Sequence, residues 1–203
     1  MIGFSEGFHD AAVAVVNDGR ICYATHSERY SKIKHDKHLD ITAASTAQLL
    51  CHDGKIAFYE RPWLKRTRQL FAGQKAWYRP RHLTLEPTEY HSHHKSHAAA
   101  AFQTSPFEEA ACVVVDSIGE WDTTSIWTAK YKDGKAIYKK VWSQWYPQSI
   151  GLWYSALTKW AGLRPLDEEY IFMGMAAFGD PVHMNVVERQ LHKNNHKLSL
   201  IHI

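Results

Sequence analysis

His91-Ser92-His93-His94-Lys95-Ser96-His97-Ala98-Ala99-Ala100-Ala101-Phe102 is the stretch around which the rest of the chain is read. Four of the 14 histidines fall within these first seven residues, directly before an alanine run that favours helix. With Ser92 as a fitting N-cap, His93 and His97 stand at i and i+4 on one helix face, close enough to share a cation. Two imidazoles leave a divalent ion short of donors. The candidate third ligand is Asp116, which closes the apolar run Ala110-Ala111-Cys112-Val113-Val114-Val115. That run reads as a buried strand delivering its terminal carboxylate to a fixed point. The plainer alternative is a set of surface or capping histidines.

The totals bound what surrounds this stretch. A chain of 203 residues has length for one large domain or two small ones. Hydrophobic content of 45% and charged content of 22% belong to a soluble globular protein, and the cytoplasm is the default compartment. Apolar runs are too short to cross a membrane, and Met1-Ile2-Gly3-Phe4 has none of the pattern of a signal peptide. Cys22, Cys51 and Cys112 are odd in number and widely spaced, against a disulfide framework or a thiolate zinc site. The net charge of +3 is uneven. Between Arg61 and Leu85 no acidic residue occurs, while Arg61, Lys65, Arg66, Arg68, Lys75, Arg79 and Arg81 interleave with Trp63, Phe71, Trp77 and Tyr78. Such a mixture can bind single-stranded nucleic acid or an anionic ligand. As a plain surface insertion, it would pack its aromatics onto the body.

In order, Ile2-Gly3-Phe4 reads as a strand, Ser5 to Asp10 as a loop, and Ala12 to Val16 as a second strand. Asp18-Gly19 turns the chain into a third strand from Arg20, a strong hairpin signal. Ile41, Ala44, Ala47 and Leu50 are spaced as a helix face, and Lys55 to Tyr59 is a strand leading to the basic insertion at about 60–85. After the histidine helix, which Ser105-Pro106 should end, the opening returns. Val113 to Asp116 is a strand, Ser117 to Asp122 a loop, Thr124 to Tyr131 a strand, Asp133-Gly134 a turn, and Lys135 to Trp142 a strand. Two copies of one pattern imply related lobes, 1–109 and 110–197, with a ligand between them. It is the α/β arrangement of the actin-like ATPases. Ser149 should cap a helix striped by Leu152, Trp153, Ala156, Leu157 and Trp160, and Asp180-Pro181 should open another. Gly174 and Gly179 stand where backbone could approach a ligand, or are simply turns. The last six residues, 198–203, are what a common transposon sequencing adapter encodes in frame. They are expected to be an assembly artefact, with the gene continuing; a short terminal strand is the alternative.

Over Gly3 to about Pro181 the chain resembles the N-terminal part of the O-carbamoyltransferases of nodulation-factor and antibiotic biosynthesis. The resemblance is carried by His9-Asp10-Ala11-Ala12, Ser27-Glu28-Arg29-Tyr30 with Lys34-His35, and His93-His94-Lys95-Ser96-His97-Ala98-Ala99. Asp116 with Gly119-Glu120-Trp121, Tyr146 to Leu152, Glu169-Tyr170 and Met173-Gly174-Met175-Ala176 continue it in order. It implies an actin-like ATPase domain, C-terminally truncated, that moves a carbamoyl group from carbamoyl adenylate to a hydroxyl of a sugar-like or small-molecule acceptor. A YrdC-like domain of the same chain would make the adenylate from carbamoyl phosphate and ATP. Carried over by position, His93, His97 and Asp116 would hold a divalent metal, with Fe2+ favoured and Zn2+ the alternative. His9 would take the hydroxyl proton; Lys34, His35, Gly119, Glu120 and Gly174 would contact substrate or nucleotide. Ile171, Gln148 and Ser117 depart from the family's lysine, histidine and glycine, which puts substrate and nucleotide contacts in question. The competing readings are a tRNA threonylcarbamoyladenosine synthase-like enzyme, which the basic stretch would suit, and a non-catalytic actin-like binding protein. No membrane partner is expected, and a nucleic acid is disfavoured.

Overall fold

The computed structural model describes residues 1–73 and 83–193. It is a mixed α/β fold in two compact units, the first from Met1 to Ser96 and the second from His97 onward.

The first unit is built on one five-stranded sheet. Strands β1 (Ile2–Ser5), β2 (Ala12–Asn17) and β3 (Arg20–His26) form an antiparallel meander. Its second turn works because Asp18 and Gly19 take φ of 49° and 74°, the left-handed pair that matches strand twist. Strands β4 (Ile56–Phe58) and β5 (Glu89–Tyr90) then add parallel to β1, giving the order β3-β2-β1-β4-β5. Between β3 and β4 lie a short helix α1 (Glu28–Ser31) and the longer α2 (Ile41–Leu50). Asp40 caps α2 by accepting from the N–H groups of Thr42 and Ala43. Helix α2 buries Ala43, Ala44 and Ala47 in a core with Ile2, Phe4, Val13, Val15 and Phe58. Ile41, expected on that face, is 68% exposed; small alanines let the helix lie close, and the larger residue turns outward.

Helix α3 (Pro62–Phe71) forms the described part of the basic insertion, and its polarity is reversed. Lys65, Arg68 and Gln69 are buried, while Trp63, Leu70 and Phe71 are 52%, 61% and 84% exposed. Of its aromatics, Trp63 meets the Tyr90 ring of β5 edge-on at 5.2 Å, as a plain insertion would, while Phe71 stays largely exposed. Lys75, Trp77, Tyr78, Arg79 and Arg81 lie outside the described residues.

The second unit repeats the opening. Helix α4 (His93–Gln103), which begins in the first unit, leads to the antiparallel strands β6 (Glu109–Gly119), β7 (Asp122–Lys132) and β8 (Lys135–Trp145). Asp133 and Gly134 make the same left-handed turn as Asp18-Gly19. Cys112, Val114, Trp127 and Ala129 pack against Ala98 and Phe102 of α4. Two expectations are corrected in β6. Val113 and Val115 are 64% and 57% exposed, because an antiparallel sheet covered on one face alternates along each strand. Asp116 is also not terminal: β6 runs on to Gly119 through an irregularity in its pairing, and only Glu120-Trp121 connect it to β7.

Helix α5 (Ile150–Trp160) starts at Ser149 as expected, the Ser149 side chain accepting from Leu152 N–H. Trp160 is nevertheless 86% exposed, and the buried residues are Ser155 and Thr158. Helices α6 (Glu169–Ala176) and α7 (Met184–Lys193) follow. Asp180-Pro181 does not open α7; a turn in which Asp180 accepts from Val182 N–H intervenes. Among the described residues no helix is long and apolar enough to cross a membrane.

Glu169 ties α6 to α5 by accepting from Ser155 Oγ and Leu166 N–H, each at 2.6 Å. Partial burial works to raise its pKa, but these bonds favour the ionised form and hold it below the ordinary value of 4.5. A depressed folded-state pKa adds stability above the unfolded value, lost as pH falls through the folded one. Urea unfolding of Glu169→Gln against wild type should therefore show a destabilised variant at pH 7, with the gap narrowing as pH drops below about 4.5. A gap independent of pH would exclude this role.

Candidate functional site

The candidate residues fall into a loop cluster at one end of the first sheet and a set centred on α4. In the cluster, the segment between β1 and β2 is strapped to residues 36–39: Gly7 N–H donates to Lys37 O and Ala11 N–H to Asp36 O. Buried Glu6 reinforces this, accepting from Leu39 N–H at 3.1 Å and from Thr84 N–H at 2.8 Å. The strap brings His9 and His35 to the same carboxylate. His9 Nδ1 lies 2.8 Å from Asp10 Oδ2, and His35 Nδ1 lies 3.3 Å from Asp10 Oδ1. Burial works to raise the Asp10 pKa, while the bonds from His9 and then His35 prevail and lower it. With Nδ1 of His9 donating to this carboxylate, its Nε2 is left as the acceptor. Lys34, 81% exposed, pairs with Glu28 at 2.7 Å, and that pairing lowers the Glu28 pKa.

The second set begins two residues past β4, where Glu60 is 2% exposed. Its Oε1 accepts from Lys65 Nζ at 2.9 Å, and its Oε2 lies 3.6 Å from His93 Nδ1. Burial is the largest influence on Glu60 and raises its pKa; His93 and Lys65 outweigh it and leave the pKa below the ordinary range. Lys65 Nζ also sits 4.8 Å from the centre of the Phe8 ring, next to His9 in sequence. The ring of Tyr59 meets that of His93 edge-on at 5.2 Å. On β6, Ser117 N–H donates to Asp116 Oδ1 at 2.6 Å, which leaves Oδ2 directed to His97 Nε2 at 4.0 Å.

One ligand atom from each of His93, His97 and Asp116 lies within 4.8 Å of the others. Ligand atoms around a bound ion at about 2.1 Å stand about 3.0–3.5 Å apart, so modest side-chain adjustment closes the set. Two imidazoles and a carboxylate, with a second carboxylate behind one imidazole, suit Fe2+ or Zn2+. The donor set fits the expected metal.

Helix α5 is fastened to this strand. Ser149 Oγ donates to Ser117 O at 2.7 Å, and a Cβ added at Gly151 would stand 2.7 Å from Ser117 Cα and 2.9 Å from Asp116 O. Glu120 is 5% exposed with φ of 59°, a strained placement for a residue other than glycine. Gly119 ends β6 beside it. Gly174 lies inside α6 with nothing within 4 Å of where a Cβ would go. Sequence reasoning quoted Asp10 without a role, took Lys65 only as one cation of the basic stretch, and passed over Glu6 and Glu60. For Glu60 a signal existed: residues just beyond the carboxyl end of a parallel strand are where α/β sheets gather ligands.

A two-unit α/β fold with paired histidines on α4 and an aspartate on β6 defines the class to be compared. The model of the family described as Carbamoyltransferase N-terminus matches residues 73–199, more than half of the chain, and the chain belongs to that family. It is 30% identical over 224 residues to the uncharacterized protein sll1178 of Synechocystis sp., covering 92% of this chain and 36% of that one. It is 26% identical over 211 residues to Nodulation protein NolNO of Sinorhizobium fredii, covering 89% of this chain and 29% of that one. An uncharacterized Methanocaldococcus jannaschii protein, MJ1058, is 32% identical over 102 residues. The chain thus spans about a third of the length of the first two relatives.

Proposed function

We propose that this chain is the first part of an O-carbamoyltransferase that moves a carbamoyl group from carbamoyl adenylate to a hydroxyl of a sugar-like or small-molecule acceptor. The adenylate would come from carbamoyl phosphate and ATP on a YrdC-like domain, and the two units would begin a pair of actin-like lobes. The observation that carries the reading is the convergence of His93, His97 and Asp116 in a member of this family. A divalent ion, Fe2+ or Zn2+, held by these three would act as a Lewis acid on the carbamoyl carbonyl. His9 is the base. Its Nε2 takes the acceptor's proton as the acceptor oxygen bonds to the carbamoyl carbon. The bond from that carbon to the adenylate phosphate oxygen breaks, and AMP leaves with the electron pair. Asp10 fixes the ring through Nδ1, and it favours the cationic imidazole that forms. Lys34, His35, Gly119, Glu120 and Gly174 would serve nucleotide or substrate contacts.

The complete protein is tested with isotope-labelled carbamoyl phosphate, ATP and a panel of hydroxyl acceptors, read by mass spectrometry. His9→Ala should slow transfer by about 10²–10⁴-fold, the usual worth of a positioned base, with metal retained. Modification of tRNA and of no hydroxyl acceptor would favour a threonylcarbamoyladenosine synthase-like enzyme instead. Normal transfer by the variant would remove His9 as the base.

A further inference from the structure

We infer that Glu60, clamped by Lys65, is the positioning residue that aims His93 at the cation, an inference that rests on the metal reading above. Three observations carry it. A carboxylate only 2% exposed is rarely tolerated without a partner that uses its charge, and Lys65, itself buried, supplies one neutralising contact at 2.9 Å. Its second oxygen is turned to Nδ1 of His93, at 3.6 Å. A few tenths of an ångström would make that a hydrogen bond. A histidine whose Nδ1–H is given to a carboxylate presents its Nε2 lone pair outward, and the carboxylate makes that nitrogen a better donor to a metal. Lys65 has a second consequence. Because its ammonium also rests on the Phe8 ring, the same side chain steadies the loop that carries His9. The reversed polarity of α3 follows from this. The helix turns Lys65 inward because the buried carboxylate requires a cation there.

The test separates aiming from mere stability. Zn2+ and Co2+ affinities of the purified chain are measured by chelator competition for wild type, Glu60→Gln, Lys65→Met and the double variant, with unfolding followed in parallel. Removing the carboxylate should weaken binding by about 10–100-fold. Lys65→Met should destabilise the fold yet bind metal at least as well as wild type, because Glu60 still holds His93. The double variant, which buries neither charge, keeps the test available should Glu60→Gln fail to fold; it too should bind weakly. Long-range 1H–15N spectra give a readout free of metal: His93 should carry its proton on Nδ1 in wild type and lose that preference in the double variant. Affinity that tracks stability, falling equally in Glu60→Gln and Lys65→Met, overturns the inference, as does wild-type affinity in the double variant. Absence of metal binding in the wild type overturns the metal reading itself.

Discussion

His97→Ala is expected to abolish stoichiometric metal binding, while His91→Ala leaves it intact. Wild-type chain should carry roughly one iron or zinc after reconstitution, since two imidazoles and one carboxylate converge there. Losing one of three ligands should weaken binding by about a hundredfold or more, because removing even an outer-shell partner costs 10–100-fold. The His97 side chain is 55% exposed, so its truncation should leave stability within about 0.5 kcal/mol. Binding and folding are thereby read apart. His91 is the matched control: its side chain is 40% exposed and lies against Glu89 at 3.6 Å, outside the converging set. Asp116→Ala should behave as His97→Ala does and, in the complete protein, end transfer altogether. Metal analysis and chelator competition decide the matter; equal loss in the His91 and His97 variants would reveal unspecific histidine binding.

The same substitution at two glycines should move stability in opposite directions. At Gly151 an added methyl would meet backbone at 2.7–2.9 Å, at Ser117 and Asp116 of β6. Backbone cannot rotate out of the way as a side chain can, so α5 must back off and strain its Ser149 bonds. The gain in helix propensity is under about 1 kcal/mol, whereas overpacking costs up to about 3 kcal/mol. The clash wins. Gly151→Ala should lower Tm by several degrees and, by shifting Asp116, also weaken metal binding. Gly174 sits within α6 with nothing within 4 Å of the added carbon, so Gly174→Ala should stabilise by about 0.5–1 kcal/mol. Thermal unfolding of the two variants checks both signs, and a stabilised Gly151→Ala would contradict the close approach of α5 to β6.

What could be read from the sequence was what local rules govern. Asp18-Gly19 and Asp133-Gly134 announced their hairpins because few residues other than glycine accept both left-handed positions. The i, i+4 histidines were legible because the helix period alone brings them to one face. Asp116 was legible as a carboxylate that could join the histidines but misplaced along its strand, since no local signal says where an antiparallel ladder stops pairing. The apolar run before it looked buried on both sides; a run of valines carries no mark of which face the sheet will cover. Glu60 and Lys65 escaped for a different reason. A buried charge pair belongs to tertiary structure: the end of β4 marks where ligands gather, but no local signal says that the carboxylate after it is buried or that Lys65 is the cation that meets it.

The two sheets should also differ in how they are reached from the unfolded chain. Among the described residues, strands β6, β7 and β8 pair only with sequence neighbours through tight turns, so each pairing closes a short loop quickly and at small entropic cost. The first sheet contains the same kind of meander, but β1 must also find β4, with Ile2 opposite Ile56, and β4 must then find β5 across the α3 segment. Those parallel pairings wait for long loops to close. During refolding, amides of the β6–β8 meander should therefore gain exchange protection before those of β4 and β5, and the rate of the whole should be set by the arrival of the strand that Glu60 follows.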